Sequence, residues 1–320
     1  MQRYSINDAV GALLAAPLHG TASTRRCHEN LCYRSNRLYR FRRGEGPTRR
    51  RSSGPRPRPL RRETQSLAAA GAQVHRGSLE DVESLRAAAA AADAVIHTAF
   101  IHDFSNYGPC AETDRRAIEA LGDALAGTDR LLIVTSGTAL LAPGRLALEQ
   151  DTTNGSFPRK SEEAAGSVAS RGVRVSVLRL APSVHGDGDH GFVPLLINLA
   201  RQKGVSAYVG DGSNRWPAVH RLDAAHLYRL AVEKGSPANY HGVGDQGVPF
   251  REIAGVIGRR LNVPVVSKSP DEAAAHFGWF AHFAGLDCPA SSDQTRQQLG
   301  WQPKQQGLIP DLDHPRYFTS

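Results

Sequence analysis

Four ionisable side chains crowd one glycine-rich segment of this sequence, where they could transfer protons. His185, Asp187, Asp189 and His190 lie within APSVHGDGDHG, which contains three glycines and shows neither helical nor strand periodicity. We predict a long functional loop in which His185 or His190 acts as a general acid or base, because imidazole titrates near neutral pH. The same residues could ligate a metal ion, but nothing fixes their spacing, and we predict no metal.

A second pair of residues has the chemistry of a substrate clamp. Arg215 and Trp216 are adjacent in GSNRWPAVH, a stretch of loop and short strand. A guanidinium can bind a carboxylate or a phosphate through two parallel hydrogen bonds. We predict that both residues bind the substrate, and a position in the core is the alternative for Trp216.

The elements that position these residues alternate between strand and helix from Leu67 onward. Short apolar strands such as ADAVIHTA, LLIVTSG and VRVSVLRL are separated by helical stretches such as DVESLRAAAAAA and KSEEAAGSVASRG. This alternation is typical of a parallel sheet covered on both faces. We therefore predict an α/β fold with a doubly wound parallel sheet. Residues 67–185, continued by about 218–260, form the first domain, and residues 186–217 and 261–320 form a small subdomain.

Composition limits the possible partners and compartments. No apolar run approaches the roughly 20 residues that a membrane span needs, and we interpret residues 1–20 as translated leader rather than a weak signal peptide. The four cysteines form no CxxC pair, which argues against a disulfide or zinc framework and favours a cytoplasmic protein. The sequence does not indicate an oligomeric state.

Five short motifs follow one another over residues 67–310: GAQVHRGSLED, ADAVIHTA, LLIVTSG, VSVLRLAPSVHGDGD and WPAVHRLDAAH. Their order resembles that of the extended and atypical short-chain dehydrogenase/reductases, and within these the NAD-dependent epimerase/dehydratase family. The resemblance implies a Rossmann-like fold that binds NAD or NADP and acts on a small molecule with a hydroxyl or carbonyl group.

The resemblance also assigns residues to the cofactor and the substrate. The implied cofactor contacts are Ser78 and Leu79 near the adenine, His97, Thr98 and Ala99 along the ribose, and Pro182, Ser183 and Val184 beside the nicotinamide. Ser78 stands where the family usually has Asp, and a strand-end turn is the alternative for this pair. His97 could equally be a core histidine. Ser136, in VTSG, matches the catalytic serine whose hydroxyl bonds a substrate oxygen; bonding to backbone at a strand end is its alternative.

The catalytic dyad of the family is missing. The family places a Tyr and a Lys four residues apart on one helix, where both face the nicotinamide. In FPRKSEEAA those positions hold Phe157 and Ser161, and Lys160 lies one residue away, rotated by about 100° around a helix. Phe157 has no proton to give. Because Lys160 lies off the required position, we expect it to be a solvated charge. Without the dyad the protein would be an atypical member of the family.

Residues 25–62 do not match the sequence that follows them. They hold fourteen Arg and two acids, so their net charge is +12, whereas the whole chain carries +8. Without this segment the chain is acidic, and we predict no nucleic-acid partner; a genuine RNA- or DNA-binding arm is the alternative. We expect residues 1–66 to be irregular because so many arginines cannot be buried unpaired.

A frameshift explains this segment. Codons for HENLCYRSNRLYRF, read one base later, can encode MKIFVTGATGFIGS, and the next residues permit AVVKDLLGAGHQVLGLARSDAK. That string is a strand, a glycine-rich turn, a helix and a second strand, which form the first βαβ unit of a dinucleotide-binding fold. Its glycines fall at codons 34, 37 and 40, where the chain as written has Arg. The Arg-Ser pair at its end favours NADP over NAD.

Two classes of function follow. The first is an NAD(P)-dependent oxidoreductase or epimerase-like enzyme for a small hydroxyl or carbonyl substrate. The second is a non-catalytic dinucleotide-binding sensor or regulator, which the missing Tyr and Lys favour. Ser136 and the polar loop at 185–190 favour the enzyme, and we expect the chain as written to be inactive.

Overall fold

The computed structural model describes residues 30–34, 37–41, 72–75, 77–104, 106–153, 155, 157–234 and 236–319. Its main feature is a seven-stranded sheet in the order β10-β6-β5-β4-β1-β2-β3. The strands of this sheet are β1 (Asn30–Arg34), β2 (Arg37–Phe41), β3 (Ala72–His75), β4 (Ala94–His97), β5 (Leu131–Gly137), β6 (Arg174–Leu180) and β10 (Asn239–Gly242). The predicted doubly wound, Rossmann-like sheet is thereby confirmed.

The strands that carry the candidate site are parallel neighbours. β4 pairs with β5 and β5 with β6, so the carboxyl ends of all three lie at one edge of the sheet. These strands consist mainly of apolar residues, because a parallel sheet is buried on both faces. All four residues of β4 are buried, as are six of the seven in β5.

Helices cover both faces of the sheet, which separates two hydrophobic cores. The helices are α1 (Val82–Ala90), α2 (Tyr107–Leu125), α3 (Ser161–Ser170), α4 (Phe192–Lys203), α5 (Arg221–Lys234), α6 (Phe250–Leu261), α7 (Pro270–Phe277), α8 (Ala281–Ala284), α9 (Asp293–Leu299) and α10 (Leu308–Leu312). One core joins α1, α2 and α3 to one face of the sheet. The other joins α5 and Trp301 to the opposite face.

A third core belongs to the smaller, later part of the fold. It packs α4, α6 and α7 around Trp216 and Phe280, both of which are fully buried. Two small sheets accompany it, in the orders β11-β9-β7 and β12-β8. Their strands are β7 (Ser183–His185), β8 (Ser206–Val209), β9 (Arg215–His220), β11 (Asp245–Pro249) and β12 (Val265–Lys268).

Two strands lie within the segment that we expected to be irregular. β1 pairs parallel to β4, and β2 pairs antiparallel to β1. The expectation of irregular structure is therefore wrong for residues 30–34 and 37–41. The physical reason is that β4 would otherwise present an edge of unpaired backbone N–H and C=O groups. The rest of residues 1–66 lies outside the described part of the chain.

The short link between β1 and β2 decides their relative direction. Arg34 is paired with Arg37, so only residues 35–36 separate the two strands. Two residues can close an antiparallel hairpin, whereas a parallel neighbour requires a crossover of a dozen or more residues, usually a helix. The chain therefore fills the strand positions of a first βαβ unit without placing a helix between them.

Candidate active site

Ser136 lies at the carboxyl end of β5, on the face covered by α2 and α3. Side chains alternate between the two faces of a strand, and Leu132 and Val134 pack into the core on that side. Ser136 is 3% exposed, and its Oγ has no hydrogen-bond partner among the described residues. An unsatisfied buried hydroxyl is costly, so a ligand oxygen is a natural partner for it. The alternative, in which this hydroxyl bonds to backbone, does not occur.

A buried carboxylate links α2 to the strand and helix beside it. His97 Nε2 lies 2.6 Å from Asp114 Oδ1, and the Ser161 hydroxyl donates to Asp114 Oδ2 at 2.5 Å. Asp114 is fully buried and His97 is 1% exposed. Because a buried carboxylate needs hydrogen-bond donors, this arrangement fixes the side chains at the end of β4 and the start of α3. The pairing of His97 with Asp114 supports its alternative as a core histidine.

The two positions of the missing dyad lie close to this network. Ser161 is the first residue of α3, and Phe157 precedes the helix in the turn that leads into it. Neither side chain can act as the acid or the cation of the family's dyad. The Lys160 ammonium lies 3.2 Å from Glu112 Oε2, and its side chain is 44% exposed. The geometry agrees with the prediction of a solvated charge at Lys160.

Tyr107 and Arg159 bring a hydroxyl and a cation to the same place, and the sequence did not reveal them. The Tyr107 ring lies 4.7 Å from the Phe157 ring, between centroids, in an edge-on arrangement. Arg159 donates from Nη2 to the Thr135 carbonyl at 3.1 Å and from Nε to the Ser161 hydroxyl at 2.9 Å. Burial raises the pKa of Tyr107 to about 12, and the nearby guanidinium of Arg159 opposes this shift.

Aromatic side chains surround this hydroxyl and cation. The Arg159 guanidinium lies 4.3 Å above the centre of the Phe100 ring, within the range of a cation–π interaction. Phe104 stacks on Trp279 with 4.2 Å between ring centroids, and Phe283 approaches Phe157 at 5.9 Å. Side chains from the loop after β4, from the turn before α3 and from residues 279–283 therefore line one region.

His102 also belongs to this region and carries no charge there at neutral pH. Burial, together with the positive charge of Arg159, lowers its pKa to about 3. Its Nδ1 has no hydrogen-bond partner among the described residues. A neutral imidazole can either donate or accept a hydrogen bond, depending on its tautomer.

The structure places His185 in a different cluster, with the C-terminal residues. His185 Nδ1 lies 2.9 Å from Asp311 Oδ2, and the Tyr317 hydroxyl donates to the same oxygen at 2.9 Å. Burial opposes ionisation of Asp311, but the hydrogen bonds from His185 and Tyr317 lower its pKa to about 2. Burial also raises the pKa of Asp189 to about 7. This cluster ties β7 to α10, and the role of His185 as an acid or base stays a prediction.

The remaining substrate and acid candidates are not brought to the end of β5. His190 is exposed. Arg215 forms a two-pronged ion pair with Asp287, at 3.0 Å and 2.8 Å. Trp216 is 1% exposed and donates to the Phe283 carbonyl at 3.1 Å, so it occupies the core position that was its alternative. In the described part of the chain, no group of three or more His, Cys, Asp or Glu side chains could hold a metal ion.

Of the residues assigned to the cofactor, those after β4 and β6 lie at the carboxyl ends of these strands, whereas Ser78 and Leu79 lie in a turn. Pro182, Ser183 and Val184 follow β6, whose Leu180 pairs with Gly137, so they leave the sheet beside Ser136. Ser183 Oγ is buried and has no partner among the described residues. Thr98 and Ala99 are buried at the end of β4. Ser78 accepts a hydrogen bond from the backbone of Glu80 at 3.2 Å, and Leu79 is 1% exposed, as in a strand-end turn.

The residues that would hold a dinucleotide pyrophosphate do not fit that group. Such a site needs a glycine-rich turn after the first strand and a helix whose N-terminus faces the phosphates. In this structure β1 pairs antiparallel with β2, and only two residues of the chain separate Arg34 from Arg37, which is too few for a helix between the strands. Pro182, Ser183 and Val184, the predicted nicotinamide contacts, thus lie beside Ser136, whereas the described residues contain no cradle for a pyrophosphate.

Comparison with known proteins shows close relatives in yeasts. The chain is 50% identical over 256 residues to the uncharacterized protein C2A9.02 of Schizosaccharomyces pombe, covering 79% of this chain and 87% of that protein. It is 46% identical over 245 residues to the uncharacterized protein YLL056C of Saccharomyces cerevisiae, covering 75% and 82%. No family model matches the chain.

Solved structures share the fold at low sequence identity. A dTDP-glucose 4,6-dehydratase from Streptomyces venezuelae, with NAD and TYD bound, has a TM-score of 0.61 at 18% identity and covers 76% of this chain and 78% of its own. The UDP-glucose 4-epimerase of Thermotoga maritima has a TM-score of 0.59 at 18% identity, covering 78% and 84%. The Rossmann-like fold is therefore common to this chain and to such enzymes, and by its sequence the chain belongs to the family of C2A9.02 and YLL056C.

Proposed function

We propose that this protein is an NAD(P)-dependent oxidoreductase or epimerase-like enzyme acting on a small hydroxyl or carbonyl substrate. The observation that carries the proposal is the buried, unpartnered hydroxyl of Ser136 at the carboxyl end of β5. In open α/β sheets, ligands bind at the carboxyl ends of the strands. Among structures of the same fold, the dTDP-glucose 4,6-dehydratase contains NAD and the UDP-glucose 4-epimerase contains UDP-glucose.

The cofactor part of the proposal requires the first βαβ unit. We propose that residues 28–63 are a frameshifted translation of that unit, and we call the restored chain the one that starts at the shifted Met and joins Ser66 in frame. The support is in the sequence itself, because codons for HENLCYRSNRLYRF, read one base later, can encode the strand and glycine-rich turn MKIFVTGATGFIGS. The Arg-Ser pair of the shifted string supports a preference for NADP.

The chain's own residues would bind and orient the substrate. Ser136 would donate a hydrogen bond to the hydroxyl or carbonyl oxygen of the substrate. The network of His97, Asp114 and Ser161 would hold the surrounding elements in place. The aromatic side chains would exclude water from the reacting oxygen, which strengthens hydrogen bonds made there.

A non-catalytic dinucleotide-binding sensor is the second candidate. Phe157 and Ser161 occupy the dyad positions, and this observation favours a protein that binds without turnover. Screening the restored chain for hydride transfer with carbonyl compounds separates the two candidates. Turnover supports the enzyme, and tight cofactor binding without turnover supports the sensor.

The remaining expectations concern partners and compartment. No helix in the described ranges is long and apolar enough to cross a membrane. We propose the cytosol as the compartment and a small molecule as the partner, without nucleic acid. The support for the latter is that the positive charge is concentrated in residues 25–62.

We predict that Ser136→Ala lowers kcat/KM of the restored chain on the order of 10-fold to 100-fold, because one donor to the reacting oxygen is lost. Phe157→Tyr should not raise the rate, since position 161 holds Ser and not the Lys that would accompany such a hydroxyl. Steady-state rates with the best substrate of the screen measure both effects. The exposed Ser170 gives the control Ser170→Ala, which should match the unaltered protein. Equal turnover before and after Ser136→Ala removes that residue from the site.

A further inference from the structure

Arg159 is a half-buried cation without a carboxylate partner among the described residues. Its guanidinium contacts the Thr135 carbonyl, the Ser161 hydroxyl and the face of Phe100. The nearest acid in this network, Asp114, is reached only through Ser161 and is already bonded to His97. A guanidinium has five N–H donors, and the contacts with Ser161 and Thr135 use Nε and Nη2. Arg159 also hydrogen-bonds to the Tyr107 hydroxyl, so a ligand carboxylate placed between these two groups could accept from both.

Two hydroxyls lie next to this guanidinium. The Tyr107 hydroxyl lies close enough to Arg159 that the positive charge of the guanidinium lowers the pKa of the hydroxyl, against the effect of burial. Ser136 directly follows Thr135, whose carbonyl accepts from Arg159, and its buried Oγ has no partner among the described residues. One cation and two hydroxyls therefore converge where a negatively charged oxygen of a ligand would be stabilised.

The walls around this polar group are aromatic. Phe100, Phe104, Tyr107 and Phe157 form a chain of ring contacts with centroid distances between 4.7 and 5.9 Å. Trp279 extends the row at its outer end and is 46% exposed. Aromatic rings pair favourably with other planar rings in edge-on or offset arrangements. A planar ring suits these walls better than the many hydroxyls of a sugar.

We propose that this region, the Arg159 pocket, binds a planar aromatic carboxylate, with Arg159 and Tyr107 on the carboxylate and the surrounding rings on the ring of the ligand. The inference rests on the proposed function only in placing the substrate at the end of β5, and it names the substrate class. The substrate would be an aromatic acid that also carries the hydroxyl or carbonyl group held by Ser136. The clamp for a carboxylate or a phosphate at Arg215 stays a separate prediction.

Isothermal titration of the full chain with benzoate tests the proposal without any cofactor. We expect benzoate to bind, and we expect acetate, benzyl alcohol and UDP-glucose to bind at least about 10-fold more weakly, because each lacks the ring, the charge or the planar acid. Arg159→Met should weaken benzoate binding at least about 10-fold and Tyr107→Phe about 5-fold, which are the sizes expected for charge-assisted and neutral hydrogen bonds. Arg159→Lys should recover part of the affinity.

Lys160→Met is the matched control, because the neighbouring cation is exposed and paired with Glu112. It should leave benzoate affinity unchanged. No benzoate binding to the full chain, or equal binding by Arg159→Met, overturns the proposal. Acetate or UDP-glucose binding as tightly as benzoate overturns the aromatic class. A restored chain that binds benzoate through Arg159 but transfers no hydride refutes the proposed enzyme and leaves this inference standing.

Discussion

The restored chain should bind NADP(H) at least about 100-fold more tightly than the chain as written, a difference of roughly 2.7 kcal/mol. The physical reason is the pyrophosphate. A glycine-rich turn lets backbone N–H groups approach the phosphates, and the N-terminus of the following helix stabilises their charge. The chain as written replaces this turn and helix with a hairpin closed at Arg34 and Arg37.

Isothermal titration of both chains with NADPH and NADH measures this effect. NADPH should bind the restored chain more tightly than NADH, because the Arg-Ser pair can contact the 2′-phosphate. A restored chain with Arg in place of the three glycines of its TGATGFIG turn is the matched control. It should bind as weakly as the chain as written, because a side chain blocks the close approach of the phosphate. Equal NADPH affinity of the restored and written chains would show that the glycine-rich turn and its helix do not bind the pyrophosphate.

The second large effect concerns stability. Arg179→Met should lower the free energy of unfolding by about 3–5 kcal/mol, since removing one partner of a buried ion pair leaves the other uncompensated. Arg179 is 1% exposed and donates to both carboxylate oxygens of Glu162, at 2.9 Å and 2.7 Å. It also donates to the Glu149 carbonyl at 3.0 Å, which ties β6 to α3 and to the loop before it.

His241 extends this network to β10. Burial lowers the pKa of His241, so the ring is neutral, and its Nδ1–H donates to the Ser291 carbonyl at 2.8 Å. Its Nε2 is then an acceptor for the Arg179 guanidinium at 3.3 Å. Loss of Arg179 therefore leaves a carboxylate and a ring nitrogen without their donor.

Urea unfolding followed by circular dichroism measures the change for Arg179→Met. Arg174→Met is the control on the same strand, because Arg174 pairs at the surface with Asp129, whose side chain is 92% exposed. Exposed pairs contribute about 0–1 kcal/mol, and the control should lose no more than that. If Arg179→Met lowers the free energy of unfolding by no more than the control does, the buried network does not hold the sheet and helix together.

The sheet could be predicted because its strands are short and continuously apolar. β4, β5 and β6 pair as expected, and the two stretches named as helical form α1 and α3. The segment APSVHGDGDHG was harder to predict, because three of its residues form the strand Ser183–His185 and His185 is paired with the distant Asp311. A contact across that much of the chain leaves no local pattern in the sequence.

The start of α2 explains why Tyr107 was missed. The segment ETDRRAIEALGDALA repeats its apolar positions at helical spacing and predicts a helix over 112–126, whereas the helix of the structure begins at Tyr107. Gly108 and Pro109 resemble loop residues, yet Pro is tolerated in the first turn, where its missing N–H has no intrahelical partner. The helical start places Tyr107 two turns from Asp114 on the same face, and this is what brings its ring to Phe157.

Arg159 was missed for a different reason. Its neighbour Lys160 is closer to the family's Lys position, and the spacing of the dyad directed attention to positions 157 and 161. The turn before α3 instead points Arg159 back over β5, where it meets Thr135. The conformation of this turn, on which the direction of Arg159 depends, is not encoded in residue spacing.

The nucleotide sequence across codons 25–66 decides whether residues 28–63 are a frameshifted translation. We expect the next reading frame to encode a Met, an apolar strand, the TGATGFIG turn, an amphipathic helix and a second strand. We also expect a second shift near codons 63–66 that restores the register. Bases at codons 34, 37 and 40 that cannot give glycine in the shifted frame would contradict the frameshift, and the arginine-rich segment would then belong to the protein.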